Sequence, residues 1–189
     1  MRNETPFLSR SKADALLVID MQKYFINPFR LDNRYLWDFR RLDAHLALEN
    51  IVREIRYALE QEIPVFFVQA INRNDKHSPL LHIIPELEEF LSHVSFLKKG
   101  SYGLLDSRRN PWYNEAKEAL KRYHTFFLSG IDLVGCISCT ALALRDWGKQ
   151  IIIPYETGIS QRPRHEVLGI YHAYGLLPNM IDLPRISSS

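Results

Sequence analysis

Short apolar runs without a helical period punctuate this chain. Ala13 to Asp20 carries Leu-Leu-Val-Ile between charged residues, and comparable runs recur at Val65 to Ala70, Val94 to Leu97, Thr125 to Leu128 and Ile151 to Pro154, with a weaker one at Met180 to Leu183. Unbroken apolarity over so few residues predicts strands buried on both faces. Over residues 42–61, Leu42, Leu46, Ile51, Ile55 and Leu59 recur at spacings of three to five with charges opposite them, which predicts an amphipathic helix. Residues 163–175 behave alike, and 84–92, 112–121 and 135–149 fill the remaining gaps as helices. Strand and helix therefore alternate along almost the whole chain, as in an α/β fold whose parallel sheet is covered by helices on both faces. No repeat, low-complexity tract or Pro/Gly/Ser linker interrupts the pattern, so residues 1–189 are read as one domain.

The longest apolar stretch, residues 125–144, would register as a membrane span by hydropathy alone. Asp132 near its centre argues against this, because a carboxylate at mid-bilayer costs about 2.5–3.5 kcal/mol on insertion scales. With Gly130 and Gly135 it reads as strand, turn and helix. Composition agrees with a globular reading: 189 residues can bury a sufficient core without disulfides or a metal. Lys and Arg total 24 against 22 Asp and Glu, too even a balance for a phosphate-binding stripe. Neither nucleic acid nor membrane is expected as a partner. The first 12 residues lack a secretory apolar run, so the two cysteines are read as reduced thiols in a cytoplasmic protein.

Candidate chemistry gathers where strands end. Residues 24–41 form an aromatic-rich loop after the first strand, on the side of a parallel sheet where ligands bind; it can wall a pocket, meet a second subunit, or do both. A dinucleotide or P-loop site is not supported, because no glycine precedes Gly100 and the first strand ends in Asp20, whose carboxylate would repel phosphate. A carboxylate at the end of a buried strand needs a partner or a function. Cys136 stands where a strand gives way to an apolar helix, a place where dipole and free N–H groups lower a thiol pKa and can hold an oxyanion. By itself such a cysteine also fits a buried small hydrophobe. With Cys139 it spells C-x-x-C, a weak redox signal that would predict a reversible disulfide. Lys98 and Lys99 follow the third strand, and one turned inward could pair with Asp20.

At these residues the sequence resembles the isochorismatase-like cysteine hydrolases, which include nicotinamidases, carbamoylsarcosine amidases and isochorismatases. The resemblance covers roughly residues 13–183 and rests on ALLVIDMQKYF, KKGSYGLL and SGIDLVGCISCTAL in that order. It implies a three-layer α-β-α sandwich around a mostly parallel, roughly six-stranded sheet of Rossmann-like topology. It also implies a catalytic Asp, Lys and Cys, carried here by Asp20, Lys99 and Cys136; counting back from Tyr102 selects Lys99, while strand register could select Lys98. Cys139 matches no catalytic position and is read as helix core. Leu133 stands where the family often has threonine, near an unusual cis peptide, and Gly103-Leu104-Leu105 replaces a frequent Ser-Ala-Phe.

The implied activity is hydrolysis of small amides or related C–N bonds, with Asp20 as base, Lys99 as its electrostatic partner and backbone N–H groups at and just before Cys136 holding the oxyanion. Phe25, Trp37 and Tyr102 are expected as walls for a small planar substrate. The alternatives are vinyl-ether hydrolysis with the Asp as general acid, or a non-catalytic binding protein on the same fold. No cofactor is expected. Asp75, His77 and His82 suggest the Asp and two His of a nicotinamidase metal site, but their spacing favours a solvated loop and no metal is assigned. His124 and His165 are read as structural. The aromatic loop and the resemblance together point to a dimer or tetramer.

Overall fold

The strand runs of the sequence assemble side by side into one sheet in the computed structural model, which describes residues 6–26, 42–71, 82–100, 103–176 and 180–181. The strands are β1 (Ala15–Ile19), β2 (Val65–Ala70), β3 (Ser95–Lys99), β4 (Thr125–Ile131), β5 (Gln150–Pro154), β6 (Gly158–Ile159) and β7 (Met180–Ile181). They lie in the order β3-β2-β1-β4-β5-β7, with β6 also paired to β4, and all these pairings are parallel. The expected six strands form the path across the sheet. The seventh, β6, continues the line of β5 along β4 after a short 3-10 turn at Tyr155–Thr157, and two residues are too few to read as a run.

The helices are α1 (Lys23–Ile26), α2 (Leu42–Glu60), α3 (Tyr113–Leu120), α4 (Ser138–Asp146) and α5 (Arg164–Ala173). The helix expected over 84–92 is instead a 3-10 helix, Pro85–Phe90, with proline in its first turn. The loop expected over 24–41 begins as α1, and residues 27–41 lie outside the described residues.

Alternation along β1 builds the layers. Leu16 and Val18 face α2, packing with Phe67, Phe127, Ile51 and Ile55, while Leu17 and Ile19 face the opposite cluster of Leu97, Leu128, Leu120, Leu144 and Val167 from β3, β4, α3, α4 and α5. Each such side chain, fully buried, contributes about 1.5–3 kcal/mol. One charge interrupts the apolar face of α2: Glu54 is buried and accepts the Phe7 and Leu8 N–H groups at 2.9 and 2.8 Å, fastening the N-terminal segment to the helix.

Chain order reverses at β1, with β2 and β3 laid down on one side and β4 on the other. The crevice at the carboxyl ends of β1 and β4 is therefore the topological switch point of the sheet. Gly130 makes the two strands fit there. Its φ is +114° and a Cβ would stand 2.1 Å from the Ile19 carbonyl oxygen, so only glycine is accommodated.

Candidate active site

Asp20 follows the last residue of β1 with φ +57°, a left-handed conformation that aspartate tolerates better than most residues. This breaks the in-out alternation of the strand at its end. Gln22, fully buried, then bridges to β2: its Nε2 donates to the Ala70 carbonyl at 3.1 Å and its Oε1 accepts the Ala70 N–H at 2.8 Å. The side-chain amide thus extends the β1–β2 ladder by one step and fixes Ala70, which pairs in register with Lys99 of β3.

Lys99 shares the buried face of β3 with Leu97, while Lys98 between them is exposed. The Lys99 Nζ lies 2.7 Å from Asp20 Oδ2, and each side chain is only 1% exposed. Of the two candidate lysines, it is Lys99 that meets Asp20. Beyond β3, Asn110 donates to the Lys98 and Leu104 carbonyls at 3.2 and 2.6 Å, and Leu104 packs fully buried beside α4.

Cys136 arrives from β4 by way of a single π-helical turn, Leu133–Ile137, which leads into α4. The Ile131–Asp132 peptide before it is cis. Asp132 organises the turn. Its Oδ1 accepts the Val134 N–H at 3.1 Å, and its carbonyl accepts the Gly135 and Ile137 N–H groups at 3.1 and 3.0 Å. The donor expected just before Cys136 is therefore already engaged in the resting structure. Leu133 is buried against Gly158 of β6, where a Cβ would come within 2.2 Å of it, and the Tyr171 hydroxyl of α5 donates to the Leu133 carbonyl at 2.7 Å.

The electrostatics follow from burial and mutual contact. Desolvation raises the Asp20 pKa, against the lowering effects of Lys99, the Cys136 thiol and the Ala70 N–H. For Lys99 the order reverses: burial lowers its pKa, but Asp20 and Cys136 more than offset this and the net direction is up. The Cys136 thiol is pushed up to about 12 by burial and by the Asp20 carboxylate, with Lys99 acting the other way. This corrects the expectation of a lowered thiol pKa. Desolvation and a neighbouring anion outweigh the helix terminus, so Cys136 rests as a neutral thiol beside a carboxylate.

Other candidates are distributed differently. Cys139 is half-buried one turn further on, near Gly103. Phe25, in α1, packs half-buried against the cluster under α2. His124, His165 and His82 are exposed. His82 lines a groove of about 310 Å³ with Gln69, Ile71 and Phe96. Trp37, Tyr102, Asp75 and His77 lie outside the described residues, and among the described residues no group of three His, Cys, Asp or Glu is placed to hold a metal. No helix among them is long and apolar enough to cross a membrane. Asp132, Asn110 and Tyr171 were not singled out for the site by sequence; Asp132 carried a signal as a carboxylate inside an apolar stretch.

Residues 14–165 match the Isochorismatase domain family. No curated protein matches the sequence. Among solved structures, an isochorismatase-like hydrolase from Alkaliphilus metalliredigens superposes with a TM-score of 0.69 at 15% identity, covering 88% of this chain and 92% of that one. A nicotinamidase from Bacillus subtilis gives 0.69 at 16% identity over 89% and 98% of the two chains. N-carbamoylsarcosine amidase from Thermoplasma acidophilum gives 0.66 at 19% over 85% and 92%. At these identities the likeness is one of fold.

Proposed function

The chain belongs to the isochorismatase family, and from that premise we propose that it hydrolyses small amides or related C–N bonds through Cys136. The family's members and structural neighbours are hydrolases, amidases among them. The observation that carries the reading is the convergence of a carboxylate, an ammonium and a thiol, from the ends of three different strands, at the switch point of the sheet.

In this mechanism Asp20 takes the proton of the Cys136 thiol as sulfur attacks the substrate carbonyl. A raised carboxyl pKa suits a base that must accept a thiol proton, and a neutral thiol at rest is protected until the transfer occurs. Lys99 holds Asp20 in place and balances the negative charge that passes between carboxylate, sulfur and carbonyl oxygen. The backbone N–H of Cys136 is assigned to the oxyanion. Protonated Asp20 then gives its proton to the leaving amine as the C–N bond breaks, leaving a thioester on Cys136. Water, deprotonated by Asp20, attacks the thioester and releases the acid and the thiol. Phe25, half-buried in α1, Trp37 and Tyr102 remain the proposed substrate walls. A cytoplasmic, oligomeric protein remains part of the proposal.

Acid-quenched mass spectrometry during turnover of small primary amides tests the covalent step. An acyl adduct on the Cys136 peptide, absent in Cys136→Ser and Asp20→Asn, is the expected result. Turnover that survives Cys136→Ser but still needs Asp20 would replace this reading with vinyl-ether-type acid catalysis.

A further inference from the structure

The turn that carries Cys136 is gripped by a second carboxylate outside the Asp20–Lys99 pair. Asp132 Oδ1 holds the Val134 N–H at 3.1 Å, two residues before the thiol, and its Oδ2 lies over Gly135, where a Cβ would stand 3.1 Å away. The carboxylate is itself held from the neighbouring strand. β6 pairs with β4 in the register Gly130 with Gly158 and Ile131 with Ile159, so the next residue, Ser160, falls beside Asp132. Ser160 and Arg162 both favour the ionised carboxylate, the Ser160 hydroxyl by hydrogen bonding to it. Ser160 Oγ also accepts the Arg162 N–H at 3.1 Å, and the Arg162 guanidinium pairs with Glu166 of α5 at 3.0 Å. The Asp132 charge also reaches Tyr171 of α5 and Cys139 of α4, raising the pKa of each in part.

We propose that Asp132 is a positioning residue for the nucleophile: anchored by Ser160 and Arg162, its side chain fixes the Val134 N–H and thereby sets Cys136 against Asp20. The inference rests on reading Cys136 as the nucleophile. Its geometric content, that Asp132 places the thiol, can be tested without any substrate. An aspartate at the start of a turn accepts a backbone N–H through either a carboxylate or, as asparagine, an amide oxygen. A charged acceptor forms the stronger bond. Burial raises the Asp132 pKa to about 6, against the opposing influence of Val134, Arg162 and Ser160, so the grip should tighten as pH rises through that value.

The test compares iodoacetamide labelling of Cys136 and Cys139 across pH in the wild-type chain, Asp132→Ala and Asp132→Asn, with each site quantified by peptide mass spectrometry. Loss of the grip should carry Cys136 away from Asp20 and into water. Its apparent labelling pKa is then expected to fall by at least one pH unit in Asp132→Ala and to stay near the wild-type value in Asp132→Asn, while Cys139, which loses the weak influence of the Asp132 charge in both variants, shifts slightly down and equally in the two. A parallel shift at both cysteines would show general loosening and overturn the proposal, as would an unchanged Cys136 in Asp132→Ala. In the unaltered protein, the Val134 amide proton resonance should titrate with a midpoint near pH 6, and a pH-invariant resonance would also overturn it. Either failure leaves the chemistry assigned to Asp20 and Cys136 standing, because that is read from acyl trapping.

Discussion

Lys99 Nζ and Asp20 Oδ2 stand 2.7 Å apart, joined across the end of β2 from strands that do not touch. The pair is almost wholly out of water, so each ion depends on the other for its charge. Removing one partner from such a pair leaves a buried charge uncompensated and costs about 3–5 kcal/mol. Lys99→Met is expected to lose stability in that range in urea denaturation, and adding Asp20→Asn to it should recover part of the loss. A simple sum of the two single losses would mean that the groups are not coupled.

Asp132 ties stability to pH. Its folded pKa of about 6 lies above the ordinary aspartate value of 3.8, so between these values the folded chain holds a proton that the unfolded chain has released. Stability from this group is therefore complete below about pH 4 and is lost as pH rises through about 6, by up to about 3 kcal/mol. Asp132→Asn keeps the acceptor for Val134 and removes the ionisation. It should be more stable than the wild type at pH 7.5 and equal to it at pH 4; the reverse ordering would contradict the assignment.

Two glycines separate steric need from tolerance. Gly130→Ala drives a methyl into the Ile19 carbonyl at a positive φ and should prevent accumulation of folded protein. Gly169 sits in α5 with open space around its Cα, so Gly169→Ala should raise stability by up to about 1 kcal/mol. Thermal denaturation of the two variants measures both outcomes.

Glu54 provides a check on the N-terminal segment. Glu54→Ala leaves the buried Leu8 N–H and the partly buried Phe7 N–H without their acceptor, at about 1–3 kcal/mol for the buried group and less for the other. Limited proteolysis should then cut near residues 6–12 in the variant well before it cuts the wild type.

Much of the fold was legible because burial on both faces writes itself as unbroken apolar runs. β1, β2, β4 and β5 were found this way, and α2 was found from its single apolar stripe. β6 escaped because pairing of only two residues leaves no pattern, and the 3-10 helix at Pro85–Phe90 because apolar spacing over one or two turns does not distinguish helix types. Asp20 and Cys136 stood out as polar atoms at the ends of apolar runs. The choice between Lys98 and Lys99 required β3 in register with β2. The direction of the Cys136 pKa was misjudged for a related reason: a helix terminus is visible in sequence, whereas desolvation and an adjacent carboxylate depend on strands brought together in space. In the sequence Asp132 argues against a membrane span, and its hold on the turn that carries Cys136 shows only in its contact with Val134.

The central claim is that Cys136, deprotonated by Asp20, attacks a small amide. Ammonia release from a panel of small primary amides, nicotinamide included, by the wild type, Cys136→Ala and Asp20→Asn tests it most directly. The account predicts release from at least one amide by the wild type, abolished in Cys136→Ala and reduced about 10²–10⁴-fold in Asp20→Asn. Release that persists in Cys136→Ala, or no release from any amide by the folded wild type, would contradict it.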